Sequence, residues 1–266
     1  MRIVYFGNNN IGWKVLRWLR EQGEEIVGLV VHPSKRAIRA NEMTALVDPR
    51  SCRVFDGSSL RDPEVQQALK ALRPTLGVSV SFGYLLRKEI LDLFPRGCVN
   101  LHPGFLPFNR GSYPNVWTLV EGTPAGVTLH YMDEGVDTGD IISQRPVAKE
   151  PWDTGGSLYH RLEAESLRLF QESWGPLKDV HKPSRAPQEK GKGTLHRMSD
   201  VEMIDEIHLE KNYLAKDLIN ILRARTFPPH PGAYFRQDGR KIYLRLQLLE
   251  ELNLEGKGDN ANVDQD

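Results

Sequence analysis

Short apolar runs alternate with longer amphipathic ones from the first residues onward. Residues 2–6, 26–31, 53–55, 76–81 and 98–101 have the length and bounding Gly or Pro residues of strands. Between them, 11–21, 63–72 and 85–93 space their apolar residues at helical intervals, with Trp13, Val15, Leu16 and Leu19 marking the first. Strands separated by helices need crossovers, and right-handed crossovers lay the strands parallel with helices on both faces. The pattern predicts an α/β, Rossmann-like, mainly parallel sheet. Such sheets bind ligands beyond the carboxyl ends of their strands. Residues 8–10, 82–84 and 102–106 fall at those ends, so three loops converge on one rim.

Beyond residue 110 the rhythm changes. A helix is expected at 115–121. Two adjacent strands at 126–132 and 141–147 bracket a turn at Asp137, and a long amphipathic helix at 156–177 carries Leu158, Leu162, Leu167 and Leu169. Residues 178–193 collect Lys, Pro, Gly and Gln, the composition of a crossing loop or linker. A helix at 213–225 and a hairpin of 233–235 with 241–248, turning at Asp238-Gly239, make a small C-terminal α+β unit. The division is a catalytic domain at 1–180, a linker at 181–200, a subdomain at 201–254 and a disordered tail at 255–266.

Composition narrows the classes. Apolar residues at 39% and charges at 26% are ordinary for a soluble globular protein. Zero formal net charge lacks the basic excess of a nucleic-acid footprint. Cys52 and Cys98 have neither metal-site nor disulfide-framework spacing, and read as reduced thiols of a cytoplasmic protein. No apolar run approaches the roughly 18 residues of a membrane span, and no His/Cys/Asp/Glu cluster suggests a metal.

Asn100 and His102 end the fifth strand two residues apart, so alternation puts them on one face. Pro103-Gly104 then turns the chain out of the sheet and presents the imidazole at the rim. Asp137 follows in the glycine-flanked turn Gly135-Val136-Asp137-Thr138-Gly139. By itself it reads as an Asx-turn aspartate, but an amide, an imidazole and a carboxylate together can stabilise an oxyanion and accept an amine proton. Acyl transfer is the chemistry they suggest. His130, His160 and His196 lack such company and read as structural or surface residues. The turn Gly7-Asn8-Asn9-Asn10-Ile11-Gly12 fails the dinucleotide fingerprint because Asn9 replaces its second glycine.

At these residues the chain resembles the folate-dependent formyltransferases. The resemblance is densest over "VNLHPGFLPFNRGSYPNVWTLVEGTPAGVTLHYMDEGVDTGDIISQRP" and looser over residues 1–175. It implies Asn100, His102 and Asp137 as catalytic residues and 10-formyltetrahydrofolate as formyl donor, with no metal. It also places the pterin pocket at Phe82, Gly83, Tyr84 and Leu85 and at Asp133, Val136 and Asp140. The segments "LPFNRGSYPNVW" and "NILRARTFPPHPGAYF" are similar to the N-formyltransferases of nucleotide-linked amino sugars in surface-polysaccharide pathways. Asn9, Asn10, Arg110 and Tyr113 are the expected acceptor contacts, and Phe227-Pro228-Pro229 the segment closing the acceptor cleft. The partner is then a small nucleotide sugar, with no nucleic acid or membrane, and the hairpin offers an edge for a homodimer. Three alternatives stay open: a methionyl-tRNA formyltransferase, a hydrolase of the same folate, and a catalytically silent binding domain.

Overall fold

The computed structural model describes residues 1–179, 185–189 and 191–251; the expected tail at 255–266 lies outside them. The chain runs β1 (Arg2–Gly7), α1 (Asn9–Glu21), β2 (Glu25–Val31), α2 (Ala40–Ala45), β3 (Arg53–Asp56), α3 (Pro63–Ala71), β4 (Leu76–Val80), α4 (Lys88–Leu91) and β5 (Cys98–His102). It continues through β6 (Arg110–Gly111), α5 (Pro114–Val120), β7 (Gly126–Tyr131), β8 (Ile141–Pro146) and α6 (Gly155–Asp179). Then come β9 (Leu195–His196), α7 (Glu202–Asp205), α8 (Ala215–Ala224), β10 (Tyr234–Gln237) and β11 (Arg240–Tyr243). Seven strands form one sheet in the order β3-β2-β1-β4-β5-β7-β8. The first five are parallel, and β7 and β8 close the far side antiparallel.

Burial explains the arrangement. β4 is buried along its whole length, as a central parallel strand covered on both faces must be. α1 lays Ile11, Val15, Leu16 and Leu19 on one face of the sheet. α6 adds Leu158, Leu162, Leu169, Phe170 and Trp174 to the same core, each fully buried large side chain contributing about 1.5–3 kcal/mol. The other face is filled by Val4, Phe6, Val27, Val30, Leu69 and Phe94. α3 starts cleanly because Asp62 accepts from the Glu64 N–H and Pro63 occupies the first turn.

Two expected elements differ. The helix at 85–93 shrinks to Lys88–Leu91, because 82–87 form an irregular loop whose Leu85 is 55% exposed. The hairpin strands are Tyr234–Gln237 and Arg240–Tyr243, shorter on the second side than expected. Its two-residue turn is as read, Asp238 and Gly239 both having positive φ, which suits the twist of the strands.

The segment after α6 crosses back over the rim. Ala186 bridges Ile141 of β8, and β9 pairs with β6, so this stretch borders the loop that follows His102. That loop is fixed from below by Thr128 of β7. The Thr128 hydroxyl donates to the Gly104 carbonyl (2.7 Å) and accepts from the Leu106 N–H (3.2 Å). Among the described residues, no helix is long and apolar enough to cross a membrane.

Candidate active site

The end of β5, the start of β6 and the turn between β7 and β8 bring Asn100, His102 and Asp137 together. Asn100 Nδ2 donates to Asp137 Oδ1 at 3.1 Å. His102 Nδ1 lies 3.4 Å from Asp137 Oδ2, and the backbone N–H of Gly111 donates to that same oxygen at 2.8 Å. Asp137 holds a left-handed conformation (φ +52°) for which the glycine-rich turn makes room. Its backbone carbonyl and that of Gly139 both accept from the Gln188 side-chain amide, at 2.7 and 2.8 Å.

His102 is 4% exposed and its second nitrogen is committed. Nε2 lies 2.9 Å from the carbonyl oxygen of Asn109, an atom that can only accept, so Nε2 carries hydrogen. Nδ1 is therefore the nitrogen that can take a proton, and it faces Asp137. Asn109 is fully buried and anchored by Thr118 and Thr123, both at 2.7 Å, so this choice of tautomer is built into the core. Gly104 completes the fit: a Cβ there would stand 2.5 Å from His102 Nε2.

Burial dominates the titration of His102 and moves its pKa below 6.5, against the opposing pull of the Asp137 charge. Burial alone would raise the Asp137 carboxyl, but its interactions with His102, His130 and the Gly111 N–H outweigh it, and the net shift is well below the ordinary value. The outcome is a neutral imidazole beside a fixed carboxylate, the protonation state a general base needs.

The remaining expected contacts divide. Leu85 and Val136 are apolar side chains that stand 55% and 41% exposed. Phe82 and Tyr84 pack on each other and on His32, whose Nε2 accepts the Gly83 N–H at 3.1 Å. Asp133 builds its own turn through Gly135 and Thr138, and Asp140 pairs with Arg185 at 3.3 Å. Asn9 donates to the Tyr159 hydroxyl at 3.0 Å, while Asn10 meets the buried carboxylate of Glu163, which also holds Lys14. The guanidinium of Arg110 is engaged by Gln188 at 2.7 and 3.1 Å, and Tyr113 stands half-exposed before α5.

Some residues escaped the sequence. His130 was read as structural, yet its Nε2 is 3.4 Å from Asp137 Oδ1. Gln188 sits in the stretch read as a crossing loop or linker. Tyr159 and Glu163 of α6 meet Asn9, Asn10 and Lys14 of α1 through the packing of the two helices. None has a local signal, because antiparallel register and helix docking are set by distant segments.

An imidazole, a carboxylate and an amide so placed are the kinds of group that acyl transfer uses. Residues 1–173 match the formyl transferase family, and 200–251 match the N-formyltransferase dimerization C-terminal domain. The chain belongs to the formyl transferase family and is a formyltransferase. It is 33% identical over 246 residues to a methionyl-tRNA formyltransferase from Desulforamulus reducens, an alignment covering 90% of this chain and 76% of that protein. Among solved structures it superposes on a 4-N formyltransferase from Francisella tularensis with a TM-score of 0.79, at 24% identity over 94% of this chain and 98% of that one. It also resembles a formyltransferase from Anoxybacillus kamchatkensis in complex with UDP-4,6-dideoxy-4-formamido-L-AltNAc and tetrahydrofolate. There the TM-score is 0.55 and the identity 28%, over 76% of this chain and 89% of that one.

Proposed function

We propose that this enzyme moves the formyl group of 10-formyltetrahydrofolate to the amine of a nucleotide-linked amino sugar. The observation that carries the chemistry is the neutral, buried His102 with Nδ1 facing Asp137 beside the Asn100 amide. The folate supplies the activated formyl group. The exposed Leu85 and Val136, with Phe82, Tyr84 and the backbone of 133–140, would hold its pterin. As the amine nitrogen bonds to the formyl carbon, Asn100 donates an N–H to the oxygen that becomes negative, a contribution of about 3–4 kcal/mol. His102 Nδ1 takes the proton released by the amine, and Asp137 stabilises the resulting imidazolium. The same proton then goes to N10 as its bond to the formyl carbon breaks, so His102 returns to neutrality. No covalent enzyme intermediate is needed.

The acceptor follows from the rim and the charge. Phe227 packs 5.1 Å from Tyr159 and from His230 and gives a planar apolar wall, while the Tyr159 hydroxyl accepts from Asn9 and, one turn on along α6, Glu163 pairs with Lys14. A base or sugar ring with hydroxyls suits that lining. The zero net charge fits a small acceptor better than a tRNA, whose phosphates call for basic excess. The Anoxybacillus kamchatkensis complex supports the same class. The second reading, initiator tRNA, is favoured by the 33% identity to the Desulforamulus reducens protein.

Mass spectrometry of the protein with 10-formyltetrahydrofolate and a panel of amines decides between them. A gain of about 28 Da, the mass of CO, on a dTDP- or UDP-linked amino sugar is expected. Formylation of methionyl-tRNA alone would overturn the sugar reading, and folate turnover without any amine would indicate a hydrolase. The C-terminal unit leaves Met203, Leu209, Leu214 and Tyr243 between 51% and 75% exposed, an apolar surface that suits pairing of two copies. Light scattering should give about twice the mass of one chain, and a monomer at micromolar concentration refutes the pairing.

A further inference from the structure

His130 is 1% exposed and stands directly opposite Asn100 in the antiparallel pairing of β5 with β7. Its Nδ1 lies 2.7 Å from the carbonyl oxygen of Tyr131. A carbonyl can only accept, so Nδ1 bears the hydrogen, and in the neutral ring Nε2 is an acceptor. That nitrogen is 3.2 Å from Asn100 Nδ2 and 3.4 Å from Asp137 Oδ1. The Asn100 amide has two hydrogens, and it spends one on Asp137 Oδ1 and the other on His130 Nε2. Turned over, the amide would set its own carbonyl oxygen against a carboxylate oxygen and an imidazole lone pair. Three acceptors would then meet without a donor.

We propose that His130 is a positioning residue that, together with Asp137, fixes the donor edge of the Asn100 amide toward the reacting centre. In the free enzyme, the second N–H of Asn100 rests on His130. The oxyanion takes it over as charge develops, because a hydrogen bond to an ionised oxygen is about twice as strong as one to a neutral acceptor. The other groups facing the ring are His102, 6.5 Å away between centroids, and Asp137. Neither is displaced by this handover. The inference rests on Asn100 being the oxyanion donor.

Kinetics of the full-length protein with 10-formyltetrahydrofolate and a dTDP- or UDP-linked 4-amino sugar test it. His130→Leu should lower kcat about 10-fold, the worth of one hydrogen bond, with both KM values within about 3-fold of wild type. His130→Gln, whose amide oxygen can accept where Nε2 did, should restore kcat to within about 3-fold. In an Asn100→Ala background, His130→Leu should change kcat less than about 2-fold, since its effect passes through the missing amide. Wild-type kcat in His130→Leu, or an equal loss in both backgrounds, overturns the proposal. Should His130→Leu fail to fold, ¹⁵N NMR of the wild-type ring decides. The Nδ1–H tautomer is expected, and an Nε2–H tautomer refutes the arrangement. Undiminished kcat in Asn100→Ala would instead sink the oxyanion reading while leaving that tautomer in place.

Discussion

His102→Ala should lower kcat for formyl transfer by roughly 10²- to 10⁴-fold, the usual worth of a positioned general base. The side chain is nearly enclosed, held through Nε2 by Asn109 and hemmed in by Gly104, so no other imidazole can take its place without moving the loop. His130 is the nearest candidate, but its ring is fixed by Tyr131 and its free nitrogen accepts from Asn100. Because the deletion removes a ring rather than a buried charge, the loss should fall on kcat more than on melting temperature. Full activity in a folded His102→Ala protein would remove the base from the mechanism.

The parallel sheet was legible because each of its strands is a short apolar run separated from the next by an amphipathic helix, a period local sequence carries well. Asn100 and His102 were legible for the same reason: strand alternation puts them on one face, and Pro103-Gly104 marks where the strand stops. Asp137 needed more than its turn, since an aspartate between glycines is equally at home in an Asx-turn. His130 was missed because its partner Asn100 is 30 residues away across an antiparallel pairing that no local pattern specifies. Gln188 was missed because a Lys-, Pro- and Gly-rich stretch reads as a loop, whatever one side chain in it touches. The helix expected at 85–93 shows the converse error. Its apolar spacing suggested a helix from Leu85 onward, whereas the helix starts at Lys88 and Leu85 lies exposed in the loop before it.

Asp137→Asn removes the charge together with one of the two accepting oxygens. The amide keeps the size of the side chain, but its one oxygen can replace only one of the two carboxylate oxygens, Oδ2 that accepts from Gly111 or Oδ1 that accepts from Asn100, and it cannot balance an imidazolium. Losing the counter-ion of a buried ion pair costs about 3–5 kcal/mol, so kcat should fall roughly 10²- to 10⁴-fold. The pH profile gives the sign. His102 must be neutral to act, and burial already holds its pKa below 6.5, so the acid limb of kcat/KM in the wild-type enzyme should lie below pH 6.5. Asp137 pulls that pKa upward. Removing its charge therefore moves the limb to still lower pH, although the plateau is far lower. A limb that moved upward would mean that the titrating group is not His102. Stability follows the carboxyl itself, whose pKa is lower in the folded chain than its ordinary 3.8. Its contribution is present above that value and is lost as pH falls towards the folded pKa. Asp137→Asn should accordingly melt below wild type at pH 7, and the gap should narrow as the pH drops under about 3.8. An unchanged gap across that range would show that the carboxylate's charge contributes nothing to the fold.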